Sequence, residues 1–128
     1  MFRILLIEPD RLLAELYKAC LEQRDYQVAV CADAQNAVHM IDDNLPDLIV
    51  LELQLADHGG VEFIYELRSY PEWQGIPIIV HTIVPSYVFF DQQQQIDKLG
   101  VAAYLYKPST QLIKLQRVVD EVLRPVLA

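Results

Sequence analysis

Four apolar runs in this 128-residue chain end in side chains that can do chemistry. Ile4 to Ile7 leads into Glu8-Pro9-Asp10, Leu48 to Leu51 into Glu52, Ile78 to Val80 into His81-Thr82, and Ala102 to Tyr106 into Lys107-Pro108. Carboxylates, a hydroxyl and an ammonium form charge-assisted hydrogen bonds when brought together, so Glu52 is expected to pair with Lys107 and to accept a bond from Thr82. His81 lies one residue before Thr82. Strand alternation therefore turns it to the opposite face, where a buried or half-buried histidine is expected rather than a catalytic base. His58, beside Gly59 and Gly60, has two readings: an anion contact, or a solvated loop side chain. Cys20 and Cys31 show no metal-ligand spacing and no secretory context, which predicts buried, reduced thiols.

The elements that must position these groups alternate along the chain. Strand-length apolar runs recur at Ile4 to Ile7, Tyr26 to Val30, Leu48 to Leu51, Ile78 to Val80 and Ala102 to Tyr106. Several are apolar at consecutive positions, as a parallel strand covered on both faces requires. Helical patterns separate them. Leu12, Leu13, Leu16, Ala19 and Cys20 form an inward stripe behind an Asp10 cap; Ala34, Ala37, Val38 and Ile41 form the next behind Asp33. Val61, Ile64 and Leu67 follow Gly59-Gly60. A less regular helix spans about Ser86 to Leu99, with Gly100 as its C-cap, and the last starts at Ser109 with Leu112, Leu115, Val119 and Val122 inward. Five strands alternating with five helices predict a doubly wound α/β fold with strand order 2-1-3-4-5. In such sheets ligands sit beyond the carboxyl ends of the strands, between the first and third. That rule selects Glu8, Pro9, Asp10, Glu52, Thr82 and Lys107.

Composition narrows the function. Hydrophobic residues make up 53% of the chain and charged ones 22%, spread evenly, so residues 1–128 read as one domain with a sizeable core. No apolar run reaches membrane-spanning length. A net charge of −8 without a Lys/Arg cluster argues against nucleic acid and anionic lipid as partners. Flavin phosphate recognition wants Ser, Thr and Gly after the first strand; Glu8-Pro9-Asp10-Arg11 offers none, so neither a cofactor nor an enzymatic activity is expected.

The ordered set of strand ends resembles the receiver domain of bacterial response regulators, over residues 1 to about 125. The resemblance rests on Ile4 to Asp10, on Pro46 to Leu51 with Gly60 beyond it, on Ile76 to Thr82, and on Gly100 to Pro108. It implies a flavodoxin-like (βα)5 fold and a site at which an aspartate ending the third strand takes a phosphoryl group. A divalent ion held by two acidic residues after the first strand, a lysine and a switch hydroxyl would assist.

Two positions depart from that pattern. The acceptor position holds Glu52, one methylene longer, and a misplacement of about 1 Å costs roughly a hundredfold in rate. The second acidic position holds Pro9, which has no ligating atom, and Glu8 and Glu52 alone make a poor cage for magnesium. Asp10 reads either as a replacement ligand or, more simply, as the helix cap.

The expectation is a degenerate, phosphorylation-independent receiver that acts by binding proteins; the alternative is a receiver still phosphorylated on Glu52 with magnesium. Glu52 itself reads either as a built-in charged stand-in or as a residual polar plug. By resemblance the partner is a signalling kinase, an output protein or another receiver. The face of fourth helix, fifth strand and fifth helix, residues 86 to 125, is the expected docking or homodimer surface. Tyr104 matches the family's aromatic switch, on the side of Tyr106 and away from Lys107, or simply packs. Val88, Phe89 and Phe90 read as a docking patch with Tyr104 or as core. The resemblance and the lack of an export signal imply a cytoplasmic setting, and no output domain is expected in this chain.

Overall fold

A computed structural model describes residues 1–89 and 99–125. Its elements are β1 (Arg3–Ile7), α1 (Arg11–Glu22), β2 (Gln27–Cys31), α2 (Ala34–Asp43), β3 (Leu48–Leu51), α3 (Gly60–Arg68), β4 (Ile78–Thr82), α4 (Ser86–Phe89), β5 (Val101–Tyr106) and α5 (Leu112–Leu123). Short 3-10 turns cover Pro71–Trp73 and Lys107–Ser109. The five strands form one parallel sheet in the order β2-β1-β3-β4-β5, as expected.

Consecutive apolar residues make sense here because the strands are buried on both faces. All four side chains of β3 are fully buried, each worth about 1.5–3 kcal/mol relative to exposure. On one face Leu5, Ile7, Ile49, Leu51, Ile78 and Val80 pack with Ile41 of α2 and with Phe63, Ile64 and Leu67 of α3. Opposite, Ile4, Leu6, Leu48, Val50, Ile79 and Leu105 pack with Ala14, Tyr17 and Leu21 of α1 and Leu115 and Val119 of α5. Among the described residues no helix is long and apolar enough to cross a membrane.

The predicted caps form: the Asp10 and Asp33 carboxylates accept from the N–H groups of Leu13 (3.0 Å) and Asn36 (2.8 Å). Three helical details differ from expectation. The inward face of α1 is Ala14, Tyr17, Cys20 and Leu21 with Leu13 at its border, while Leu12 and Leu16 face solvent. Tyr17 is the reason: its ring fills the space above β1 and β4 and sets the rotation of the helix. The last helix begins at Leu112, not Ser109, because the Ser109 and Thr110 hydroxyls donate to the Tyr106 carbonyl and complete a separate turn (3.3 and 2.7 Å). Leu112, predicted inward, is consequently exposed. Most of the predicted fourth helix, residues 90–98, lies outside the described residues; Gly100 takes the left-handed φ of +70° that suits a C-cap.

Candidate functional site

Glu8, Glu52, Thr82 and Lys107 meet at the carboxyl ends of β1, β3, β4 and β5, where the topology places them. In-register pairing of Ile7 with Leu51 sets Glu8 beside Glu52. Lys107, one residue past β5, reaches both: its ammonium donates to Glu8 Oε1 (2.5 Å) and Glu52 Oε1 (2.7 Å). All three side chains are at most 9% exposed. Thr82 donates its hydroxyl to Glu52 Oε2.

Backbone groups complete the set in a repeated way. Glu8 Oε2 accepts from the N–H of Asp10 (3.1 Å), Glu52 Oε2 from that of Gln54 (3.0 Å), and Thr82 Oγ1 from that of Val84 (3.2 Å). Each strand-end side chain thus folds onto the amide two residues on, the local bond of an Asx or ST turn. The N–H of Ile83 adds a long contact to Glu52 Oε1 (3.4 Å). No signal in the sequence betrays these turns, because Glu is not a habitual Asx-turn residue.

The electrostatics follow from that wiring. Burial of Glu52 opposes its charge, yet the bonds from Lys107, Thr82 and Gln54 outweigh burial and hold its pKa below the ordinary value. Burial likewise works against the Lys107 ammonium, and the two carboxylates reverse it, raising its pKa. Tyr17 lies under this cluster with Lys107 5.8 Å from its ring centroid. His81 is buried on the opposite face, as strand parity requires, edge-on to the same Tyr17 ring at 4.7 Å. Burial and the nearby Lys107 charge push its pKa down to about 4.

The bonds continue outward. The carbonyl of Val84, whose N–H is held by Thr82, accepts from the Tyr104 hydroxyl (2.6 Å). Tyr104 therefore packs on the sheet and is also tied through residue 84 to Thr82 and Glu52. Tyr106, Ile83, Tyr87 and Val88 are exposed. Phe90 and the Phe89 side chain lie outside the described residues.

The loop after β3 borders the site. Gly60 is obligatory there, since a Cβ would stand 2.5 Å from Leu53 Cα. Asp57 in the same loop accepts from the N–H groups of Ala34 (3.3 Å) and Gln35 (3.1 Å), tying the loop to the amino end of α2. His58 is exposed and 3.6 Å from Glu62.

The family model described as the response regulator receiver domain matches residues 4–119. The chain belongs to that family. Receiver domains are signalling modules rather than enzymes, and they work in two-component pathways through protein partners. This receiver is similar to the polar-differentiation response regulator DivK of Brucella anthropi, 25% identical over 105 residues that make up 82% of this chain and 83% of that protein. It is 29% identical over 107 residues to the alginate biosynthesis transcriptional regulatory protein AlgB of Pseudomonas aeruginosa, matching 83% of this chain but only 22% of AlgB. The chain thus spans about a fifth of the length of those AlgB relatives. Among solved structures, the non-phosphorylated HemR receiver domain of Leptospira biflexa superposes with a TM-score of 0.82 at 27% identity, covering 97% of this chain and 95% of that one. The chemotaxis response regulator CheY4 of Vibrio cholerae, at 21% identity and TM-score 0.83 over 96% and 99% of the two chains, shares the fold.

The divalent ion implied for such a receiver does not fit the donor set of this chain. Both oxygens of Glu8 and both of Glu52 already accept hydrogen bonds, Pro9 has no donor atom, and an Asp10 oxygen caps α1. Among the described residues no three His, Cys, Asp or Glu side chains are grouped to hold a metal.

Proposed function

We propose that this receiver works without phosphorylation, as a protein-binding module whose strand-end pocket is closed by its own charges. The carrying observation is the Lys107 ammonium shared between Glu8 and Glu52, with Thr82 on the remaining Glu52 oxygen. The ammonium bridges the two carboxylates that are the metal candidates, and Glu52 is the residue at the acceptor position. Charge balance agrees: two carboxylates and one ammonium leave a single net negative charge, a modest field for attracting a divalent ion. The link from Glu52 through Thr82 and Val84 to Tyr104 holds the outer face in one arrangement independent of any modification.

That outer face, formed by α4, β5 and α5, docks the partner. Exposed Ile83, Tyr87, Val88 and Tyr106 supply apolar contact area there, and the partner is a protein of the signalling pathway rather than nucleic acid, given the charge of −8.

Titration with magnesium and then beryllofluoride, followed by amide NMR, tests the reading. Unchanged resonances at Glu8, Glu52, Thr82 and Lys107 are expected. Saturable shifts clustered on those residues would replace the proposal with a magnesium-dependent receiver phosphorylated on Glu52.

A further inference from the structure

Strand β2 ends the sheet on one side, and no strand among the described residues pairs with its outer edge. The Gln27 N–H donates to the Phe2 carbonyl (2.9 Å) and the Cys31 carbonyl accepts from the Glu8 N–H (2.9 Å), so residues 27, 29 and 31 turn their main-chain groups toward β1. Val28 and Val30 turn theirs outward, where no partner stands among the described residues. Exposed edges are normally protected by Lys, Pro or a bulge. The run Gln27-Val28-Ala29-Val30-Cys31 has none of these and pairs with β1 in unbroken register. At the opposite edge, by contrast, the pairing of β4 with β5 is broken by a register shift beside Ile78.

Each face of the β2 edge has a hollow. On the α2 side a cavity of about 360 Å³ opens beside Leu5 and Ala29, walled by Met40, Asn44 and Pro46. On the α1 side another of about 420 Å³ opens beside Val30, walled by Pro9, Ala14 and Lys18. Ala29 and Val30 are both exposed. Successive side chains of a strand point to opposite faces, so a strand added to β2 seats one side chain in each hollow.

Charge says what kind of segment fits. Asp42 and Asp43 close α2, at the helix end that favours a cation, and no basic residue stands in its last turn. The pair weakens the helix and is left open to a base from outside. Asp43 lines the α2-side hollow, and Leu45, 53% exposed, follows two residues on. The chain's charge of −8 favours a basic partner over a second copy, whose own β2 brings no base to set against these acids.

We infer that the free edge of β2 takes up an extended segment of another protein as a sixth strand, with an apolar side chain in each hollow and a Lys or Arg beside Asp43. Main-chain bonds from Val28 and Val30 supply affinity, and the hollows and acids supply specificity. This surface lies at the other edge of the sheet from β5 and acts whatever the state of Glu52.

Amide NMR on the full chain tests it with two synthetic peptides, Arg-Arg-Val-Leu-Val-Thr and Thr-Val-Leu-Val-Arg-Arg, which set the bases beside Asp43 in the parallel and antiparallel directions respectively. Saturable shifts at Val28, Ala29 and Val30 are expected with one of them, together with slower hydrogen exchange at the Val28 and Val30 N–H groups. Val30→Pro removes an outward donor without touching the β1 ladder and weakens binding about tenfold. Ala29→Lys, which puts a charge into the α2-side hollow, weakens it at least as much, and Asp43→Asn weakens it less. The same peptides with every main-chain nitrogen methylated, a control that leaves the protein untouched, produce no shifts. Val88→Glu, on the α4 side, leaves binding unchanged. No saturable shift with either peptide overturns the inference. Binding that survives methylation overturns it too, as capture of the bases by acids alone, and shifts at Val28 and Val30 that follow protein concentration without peptide would replace the partner with a second copy.

Discussion

Two cations are drawn into this protein at opposite ends of the sheet, and they are held by different physics. At the carboxyl ends of the strands Lys107 sits between two carboxylates. At the amino ends of β4 and β5 the Arg68 guanidinium meets no carboxylate among the described residues; it donates instead to the carbonyls of Leu99 (2.7 Å), Trp73 (3.0 Å), Ile76 (2.7 Å) and Gly100 (3.2 Å). Burial lowers the pKa of Arg68, whereas the carboxylates reverse that effect at Lys107. The guanidinium stays charged regardless and serves as a permanent staple joining α3 to two strand starts. The lysine cluster is balanced by groups that titrate, so its stability answers to pH and to the loss of any one member.

Lys107→Met sharpens the contrast most. It leaves two buried carboxylates facing each other, and unfolding by urea at pH 7 is expected to show a loss of about 3–5 kcal/mol. The loss shrinks in acid, because Glu52 without its ammonium takes up a proton at higher pH.

The next effect is the acid limb of the native protein. Glu52, with a lowered pKa, contributes stability above its ordinary value that is lost as pH falls. His81 acts in the same direction at higher pH. It stays neutral when folded down to about pH 4, while the unfolded chain takes up its proton near 6.5, so stability falls between those values by roughly 3 kcal/mol. His81→Gln flattens that stretch of the curve, and a curve that keeps its slope in the variant would place the acid sensitivity elsewhere.

Arg68→Lys is smaller still. An ammonium cannot span four carbonyls, and a loss of about 2 kcal/mol is expected, nearly constant between pH 5 and 8. A pH-dependent loss would break the distinction between staple and titrating cluster. Least affected is Asp57→Asn, which weakens an exposed tie to the amino end of α2 by about 0.5 kcal/mol.

The sheet and the strand-end cluster were legible in the sequence because both follow from strand count and strand parity. Leu48 to Leu51 has one plausible fate, and the residue after it has one direction to face. Lys107, Glu52 and Thr82 converge as the topology requires, and Asp10 and Asp33 cap as their types suggest. Rotation of α1 was not legible, since Leu12, Leu13, Leu16, Ala19 and Cys20 make as good a helical stripe as Leu13, Ala14, Tyr17, Cys20 and Leu21. Packing of one tyrosine against His81 and Lys107 decided between them. Arg68 was also hidden: its partners are main-chain carbonyls, which every sequence supplies and none advertises.

The strand order also divides the strand-end cluster between early and late parts of the chain. β1 pairs with β2 on one side and β3 on the other, β3 with β4 and β4 with β5, so every strand after the first has a partner that precedes it in the chain. Glu8 and Glu52 are brought together by the β1–β3 pairing alone, and their ammonium comes only with the last strand. Any partly assembled form lacking β5 holds two carboxylates with nothing between them. Seating β5 and discharging that repulsion are a single event, which favours the closed sheet over any form with that strand detached.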